Sequence, residues 1–67
     1  MEIIINHQKQ HVPENTTLQA IVTDQVGDKQ KGVAVAVNDA VIPRSAWGEH
    51  FLKLNDDILI IKATQGG

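Results

Sequence analysis

Two consecutive glycines, Gly66 and Gly67, end the sequence, and their type and position suggest chemistry more directly than any side chain does. Glycine has no Cβ, so a glycine pair can enter a narrow channel in almost any backbone conformation. The group that such an end presents is the Gly67 carboxylate, which is ionised at neutral pH and therefore a poor electrophile. It becomes reactive as a mixed anhydride such as an acyl adenylate. The sequence therefore predicts a working carboxyl terminus, with Thr64 and Gln65 leading to it.

A nucleotide site for that activation is not expected in this chain. Residues 27–32 have the glycine spacing of half a phosphate-binding loop, but Val33 and Ala34 stand where a lysine and a hydroxyl residue are required. The stretch is also predicted to join a helix to a strand, the reverse of the order such loops need. We expect no bound cofactor, and a partner enzyme that uses ATP. The chain has no cysteine, which excludes a thiol nucleophile.

Three side-chain groupings are weaker candidates for chemistry. No cysteine or carboxylate cluster accompanies the histidines, so we expect no metal site. The adjacent Asp56 and Asp57 are typical of a turn, and no spacing supports a nucleophile grouping of Ser45, His50 and Asp56. We therefore expect no catalytic side chain. We expect all three histidines, His7, His11 and His50, to be solvated, and His7 and His11 to lie on either side of a hairpin turn.

Size and charge bound the protein class. The chain has 67 residues, and its 6 basic and 8 acidic side chains give a net charge of −2. This predicts one small domain without the basic surface of a nucleic-acid-binding protein. The longest apolar run, Val33 to Val37, is too short to span a membrane, and the start lacks the features of a signal peptide. A cytoplasmic protein is expected.

The elements that must position the glycine end are mostly strands, because the aliphatic residues are rich in β-branched types. A polar turn at 6–9 would join the first two strands into a hairpin. The residues 58–61 are apolar on both faces, which favours a central strand. The predicted strands are Glu2–Asn6, Gln10–Val12, Val33–Val37, Ala40–Ile42 and Ile58–Ile61.

One amphipathic helix is predicted between the second and third strands. Thr16 and Gln19 have the spacing of a capping box, and Gly27 is a suitable C-terminal stop. The inward face repeats at helical spacing. The apolar face of the helix, which we expect to be buried, consists of Leu18, Ile21, Val22 and Val26. The aromatic residues Trp47 and Phe51 are expected to cover one end of the core.

The element order predicts an α+β fold of the ubiquitin-like β-grasp type, with a small mixed five-stranded sheet and the helix on one face. The domain would occupy residues 1–63, with 64–67 as a flexible tail. If the valines of the third strand face the helix, the alanines face outward with apolar neighbours. We expect this outer face to bind a partner protein through Ile4, Ala34, Ala36, Leu59 and Ile61. Arg44 is expected to make a further contact with the partner.

The segment from Val37 to Trp47, which reads Val-Asn-Asp-Ala-Val-Ile-Pro-Arg-Ser-x-Trp, together with the terminal Gly66-Gly67, resembles the ThiS family. These are the sulfur carrier proteins of thiamine biosynthesis, and the resemblance spans the whole chain. One departure concerns two turns: Asn6-His7 and Asn38-Asp39 stand where the family often has Asn-Gly.

The resemblance implies a non-enzyme that is a co-substrate of other enzymes. A ubiquitin-activating-like adenylyltransferase would adenylate the Gly67 carboxyl, and sulfur from a cysteine desulfurase route would replace AMP. The resulting thiocarboxylate, a C-terminal 1-thioglycine, would supply sulfide to thiazole synthase. The alternatives are the small subunit of molybdopterin synthase, a ubiquitin-like protein modifier, and a β-grasp interaction module without chemistry.

Overall fold

The computed structural model describes residues 1–28 and 30–62. The elements within them are β1 Glu2–Ile5, β2 Gln8–His11, α1 Leu18–Val26, β3 Val33–Val37, β4 Ala40–Val41 and β5 Asp57–Lys62. The five strands form one sheet in the order β2-β1-β5-β3-β4, and a short 3₁₀ helix at Arg44–Glu49 follows β4. The predicted tail of 64–67, with Gly66 and Gly67, lies outside the described residues.

The last strand, β5, lies in the middle of the sheet. It pairs in parallel with β1, with Ile5 opposite Ile58, and antiparallel with β3, with Val35 opposite Ile60. The sheet is therefore mixed, and the prediction of a central final strand is confirmed. Isoleucine and leucine fill both faces of β5, as expected for a strand with neighbours on both sides.

The core lies between α1 and one face of the sheet, which we call the inner face. The valines of β3 point inward, with Val35 and Val37 buried, while Ala34 is exposed on the other side. This arrangement meets the condition on which the expectation of an apolar outer face depended. Burial of each such aliphatic side chain contributes roughly 1.5–3 kcal/mol. The buried apolar residues of the sheet and helix are Ile3, Ile5, Leu18, Ile21, Val22, Val35, Val37, Ile58 and Ile60.

Both hairpins turn in two residues. Asn6 and His7 have φ angles of 47° and 69°, and Asn38 and Asp39 have 51° and 70°. Positive φ at both central residues defines a type I′ turn, the turn whose twist matches that of paired strands. Each pair forms this turn without glycine. The longer turn predicted at 6–9 is wrong, because β2 already begins at Gln8 opposite Ile5.

The helix begins one residue later than predicted. Thr17 is the N-cap, and its hydroxyl accepts a hydrogen bond of 3.2 Å from the Ala20 amide. Thr16 instead donates its hydroxyl to the Pro13 carbonyl, and its own carbonyl accepts from the Leu52 amide. The predicted capping box of Thr16 and Gln19 is therefore wrong. The predicted stop is confirmed, since Gly27 is the C-cap with φ 67°.

The 3₁₀ helix places Trp47 at the end of the core. Its ring is buried, and Nε1 donates a hydrogen bond of 2.9 Å to the Ile42 carbonyl. Phe51, by contrast, is 57% exposed, so the prediction that both aromatic residues cover the core holds for Trp47 only. β4 ends at Val41, one residue before its predicted end.

The N-cap assignment predicts unequal effects for two adjacent threonines. Thr17→Ala removes the acceptor for the Ala20 amide and should lower the free energy of unfolding by about 1 kcal/mol. Thr16→Ala removes an exposed hydrogen bond and should cost about 0.5 kcal/mol or less. Urea unfolding followed by circular dichroism measures both. A larger loss in Thr16→Ala would contradict the assignment.

Candidate docking face and carboxyl terminus

The face of the sheet opposite α1 carries a row of apolar side chains. Antiparallel pairing sets Ala34 opposite Ile61 and Ala36 opposite Leu59. Leu59 is 38% exposed and Ile61 52% exposed, because small alanines beside them leave their side chains uncovered. Ile4 on β1 is half-buried on the same face. The structure thus brings together the five apolar residues that the sequence predicted for this face.

One member of this surface was missed. Val41 on β4 pairs with Ala36 and is 73% exposed. Strand alternation carries the signal, because a residue paired with an outward alanine must itself point outward. We call the outer-face patch the set Ile4, Ala34, Ala36, Val41, Leu59 and Ile61.

Acidic groups border one end of the outer-face patch. Asp57, the first residue of β5, pairs with Ile4 and is exposed. Asp39 and His7, from the two hairpin turns, join Asp57 and Leu59 around a depression of about 80 Å³. Two carboxylates beside exposed leucine favour a partner surface that is apolar with cationic groups at its edge.

The opposite end of the outer-face patch leads to the carboxyl terminus. β5 ends at Lys62, which pairs with Val33 at the start of β3. Residues 63–67 follow in the sequence, and a fully extended stretch of that length spans at most about 16–18 Å. The glycine end is thus tethered to the same strand that supplies Leu59 and Ile61.

Arg44, the remaining predicted docking residue, lies away from the outer-face patch. It is the first residue of the 3₁₀ helix and is exposed. This helix contacts α1, so it lies on the helix side of the sheet. Arg44 can therefore contact a partner only on another side of the domain.

A second concavity lies near the β3–β4 turn. Its volume is about 220 Å³, smaller than the roughly 300–1,000 Å³ of typical small-molecule sites. His50 and Asp56 both line it, together with the exposed Phe51. Ser45 lies in the 3₁₀ helix outside this lining. The concavity therefore does not assemble the Ser45, His50 and Asp56 grouping.

Asp56 has a structural role. It is 8% exposed, its Oδ2 accepts from the Lys53 amide at 2.8 Å, and its Oδ1 accepts from Asn38 Nδ2 at 3.0 Å. The Asp57 side chain is exposed, and its amide donates to Asn38 Oδ1. The two carboxylates therefore diverge, as turn residues do, and do not form an acid/base pair.

The histidines are dispersed. His7 lies in the β1–β2 turn, whereas His11 ends β2 opposite Glu2, so the expectation that they flank the turn is wrong. In residues 1–28 and 30–62 no three histidine, cysteine or acidic side chains cluster as metal ligands. Over the same residues, no helix has the length and hydrophobicity that a membrane crossing requires.

The sheet order, the single main helix and the central last strand define a ubiquitin-like β-grasp fold. The crystal structure of a thiamine biosynthesis protein (ThiS) from Geobacter metallireducens superposes with a TM-score of 0.83, at 20% identity over all of both chains. A solution structure of a thiamine biosynthesis protein from the same organism gives 0.80 at 20% identity, over all of this chain and 88% of the other. At this identity the likeness establishes the fold.

Sequence comparison identifies the family. The chain is 30% identical to the sulfur carrier protein ThiS of Escherichia coli K12 over 67 residues, which cover all of both chains. The family model for the ThiS family matches residues 1–67. The chain belongs to the ThiS family.

The role of Asp56 predicts that it matters for stability and its neighbour does not. Asp56→Ala leaves the Lys53 amide and Asn38 Nδ2 without their acceptor, so the free energy of unfolding should fall by about 2–3 kcal/mol. Asp57→Ala should change it by about 0.5 kcal/mol or less. Chemical denaturation measures both changes, and equal losses would refute the structural assignment.

Proposed function

We propose that this protein is a cytoplasmic sulfur carrier of thiamine biosynthesis and not itself a catalyst. A partner adenylyltransferase converts the Gly67 carboxylate and ATP into an acyl adenylate and pyrophosphate. The terminal sulfur of a persulfide from a cysteine desulfurase route then displaces AMP to give an acyl disulfide. A thiol reductant cleaves its S–S bond and is itself oxidised to a disulfide, which leaves a thiocarboxylate on Gly67. Thiazole synthase takes the sulfur for the thiazole ring.

The observation that carries this proposal is the full-length match to the ThiS family, which includes Gly66 and Gly67. The match to the E. coli sulfur carrier also extends over the whole of both chains. The carrier role requires a carboxyl terminus that no side chain obstructs, and a glycine pair supplies it. The chemistry needs no catalytic residue in this chain.

The outer-face patch supports the proposal physically. Ordering each tail residue in a partner's active site costs roughly 1–2 kcal/mol, so the folded domain has to supply binding free energy. Leu59 and Ile61 are exposed, apolar and on the strand that precedes the tail. Docking through them holds the start of the tail against the partner and leaves residues 63–67 to reach the active site.

The acidic border gives the docking surface a direction. Asp39 and Asp57 lie at the end of the patch remote from Lys62. A partner with cationic groups at the matching edge of its apolar surface is attracted in one orientation, which points the tail toward its active site. Such complementary charge fixes register and increases association rates.

The proposed reaction predicts a defined change in mass. Incubation with ATP, the activating enzyme and a sulfur source should convert the chain to a species heavier by the difference between sulfur and oxygen. A variant without Gly67 is the control and should stay unmodified. No change in the wild type, or the same change in the control, would refute the proposal. Isopeptide-linked lysine products would indicate a protein modifier instead.

The docking role predicts that a charge introduced at an exposed leucine weakens binding to the activating enzyme only if that leucine lies in the outer-face patch. Leu59→Asp places a charge within the outer-face patch and should weaken binding to the activating enzyme roughly tenfold or more. The matched control is Leu54→Asp, because Leu54 is 63% exposed in the loop before β5. Isothermal titration calorimetry measures both affinities. An equal loss in the two variants would contradict docking through the outer face.

A further inference from the structure

The side chain of Asn6 continues the β1–β5 ladder beyond the end of β1. The last paired residues are Ile5 and Ile58, and the Asn6 amide donates to the Ile58 carbonyl at 2.9 Å. The chain then turns away at Asn6. The Ile60 amide nevertheless has an acceptor on this side, because Asn6 Oδ1 accepts from it at 2.8 Å.

Few residue types can fill position 6. The φ angle of 47° there lies in the left-handed region, which asparagine and aspartate tolerate better than other non-glycine residues. Their side chains also carry an oxygen at the right distance from the backbone to accept an amide hydrogen. Glycine satisfies the backbone requirement but supplies no acceptor.

A second asparagine does the same at the other end of β5. Asn38 has φ 51° at the same position of the second turn. Its Oδ1 accepts from the Asp57 amide at 3.0 Å, and its Nδ2 donates to Asp56 Oδ1. Each turn thus fastens one end of β5, and of these two asparagines Asn6 is the one that acts near the carboxyl end.

We propose that Asn6 is a positioning residue for the carrier reaction, because its bond to Ile60 fixes the point from which the tail extends. This proposal rests on the proposed function. Among the described residues, Ile61 and Lys62 pair with β3 alone, so Ile60 is the last residue of β5 that is held from both sides.

If the bond between Asn6 and Ile60 is lost, the last residue of β5 that is held on the β1 side is Ile58 instead of Ile60. The chain beyond the doubly held residue then grows by two residues, which span about 7 Å when extended. A longer and less directed tether lowers the effective concentration of the terminal carboxylate in the partner's active site. Docking through the outer-face patch is affected less, since Leu59 and Ile61 remain paired with Ala36 and Ala34 of β3.

The test uses three variants of the full chain. Asn6→Gly keeps the turn and removes the acceptor, whereas Asn6→Asp keeps both an oxygen acceptor and the tolerance of positive φ. Asn38→Gly makes the same backbone change at the other turn and removes the bonds at the far end of β5. This variant controls for a general loss of stability.

Amide hydrogen exchange by NMR measures the strength of the Ile60–Asn6 hydrogen bond directly. In Asn6→Gly the Ile60 amide should exchange roughly 2- to 10-fold faster, the factor for one hydrogen bond of typical net strength. Asn6→Asp should retain the wild-type rate at Ile60, and in Asn38→Gly the Ile60 amide should change no more than the other amides of β5. An unchanged Ile60 rate in Asn6→Gly would overturn the proposal.

The rate of pyrophosphate release by the ATP-dependent activating enzyme measures adenylation of the Gly67 carboxylate. At saturating carrier, Asn6→Gly should react roughly 2- to 10-fold more slowly, with its dissociation constant changed less than twofold. Asn6→Asp should restore the rate, and Asn38→Gly should match the wild type. Equal slowing in both glycine variants, or wild-type turnover in Asn6→Gly, would overturn the positioning role alone. An inactive wild type would refute the proposed function and this role with it.

Discussion

The structure depends on the pairing of β5 on both sides. This strand closes the sheet by joining β1 to β3, and its inward residues Ile58 and Ile60 are buried against the core. Its outward residues Leu59 and Ile61 remain exposed. A single strand thus stabilises the domain with one face, offers an apolar surface with the other, and leads to the glycine end.

A chain of this size has little core with which to hold such a strand. Domains of about 60 residues bury only about 60% of the surface of their unfolded chains, and no cysteine is present to form a disulfide. Hydrogen bonds from turn residues compensate at the ends of β5. The side chains of Asn6 and Asn38 each accept a hydrogen bond from a backbone amide of this strand. The Asp56 carboxylate accepts hydrogen bonds from both the Lys53 amide and the Asn38 side chain.

Local patterns were sufficient to predict most elements. The alternation of valine and alanine in 33–37 predicted that β3 has two unequal faces, and the continuous apolar run before Lys62 predicted a central strand. The family resemblance that rested on the segment ending at Trp47 is confirmed, as is the β-grasp fold.

Features that depend on distant residues were not predictable in this way. Thr16 loses the N-cap position because its carbonyl bonds to the Leu52 amide, a contact that no helix pattern contains. The Asn6 bond to Ile60 joins residues separated by 54 positions. Each was missed because tertiary contacts determine it.

In the proposed function, reactivity belongs to the terminal carboxylate and the folded domain only presents it. The most direct measurement is thiazole formation in a reconstituted system, with a chain that carries one extra alanine after Gly67 and no protease to remove it. The domain and its docking surface are unchanged in that chain. We predict no sulfur delivery from it. Delivery at the rate of the native sequence would show that the free Gly67 carboxylate is not the reactive group.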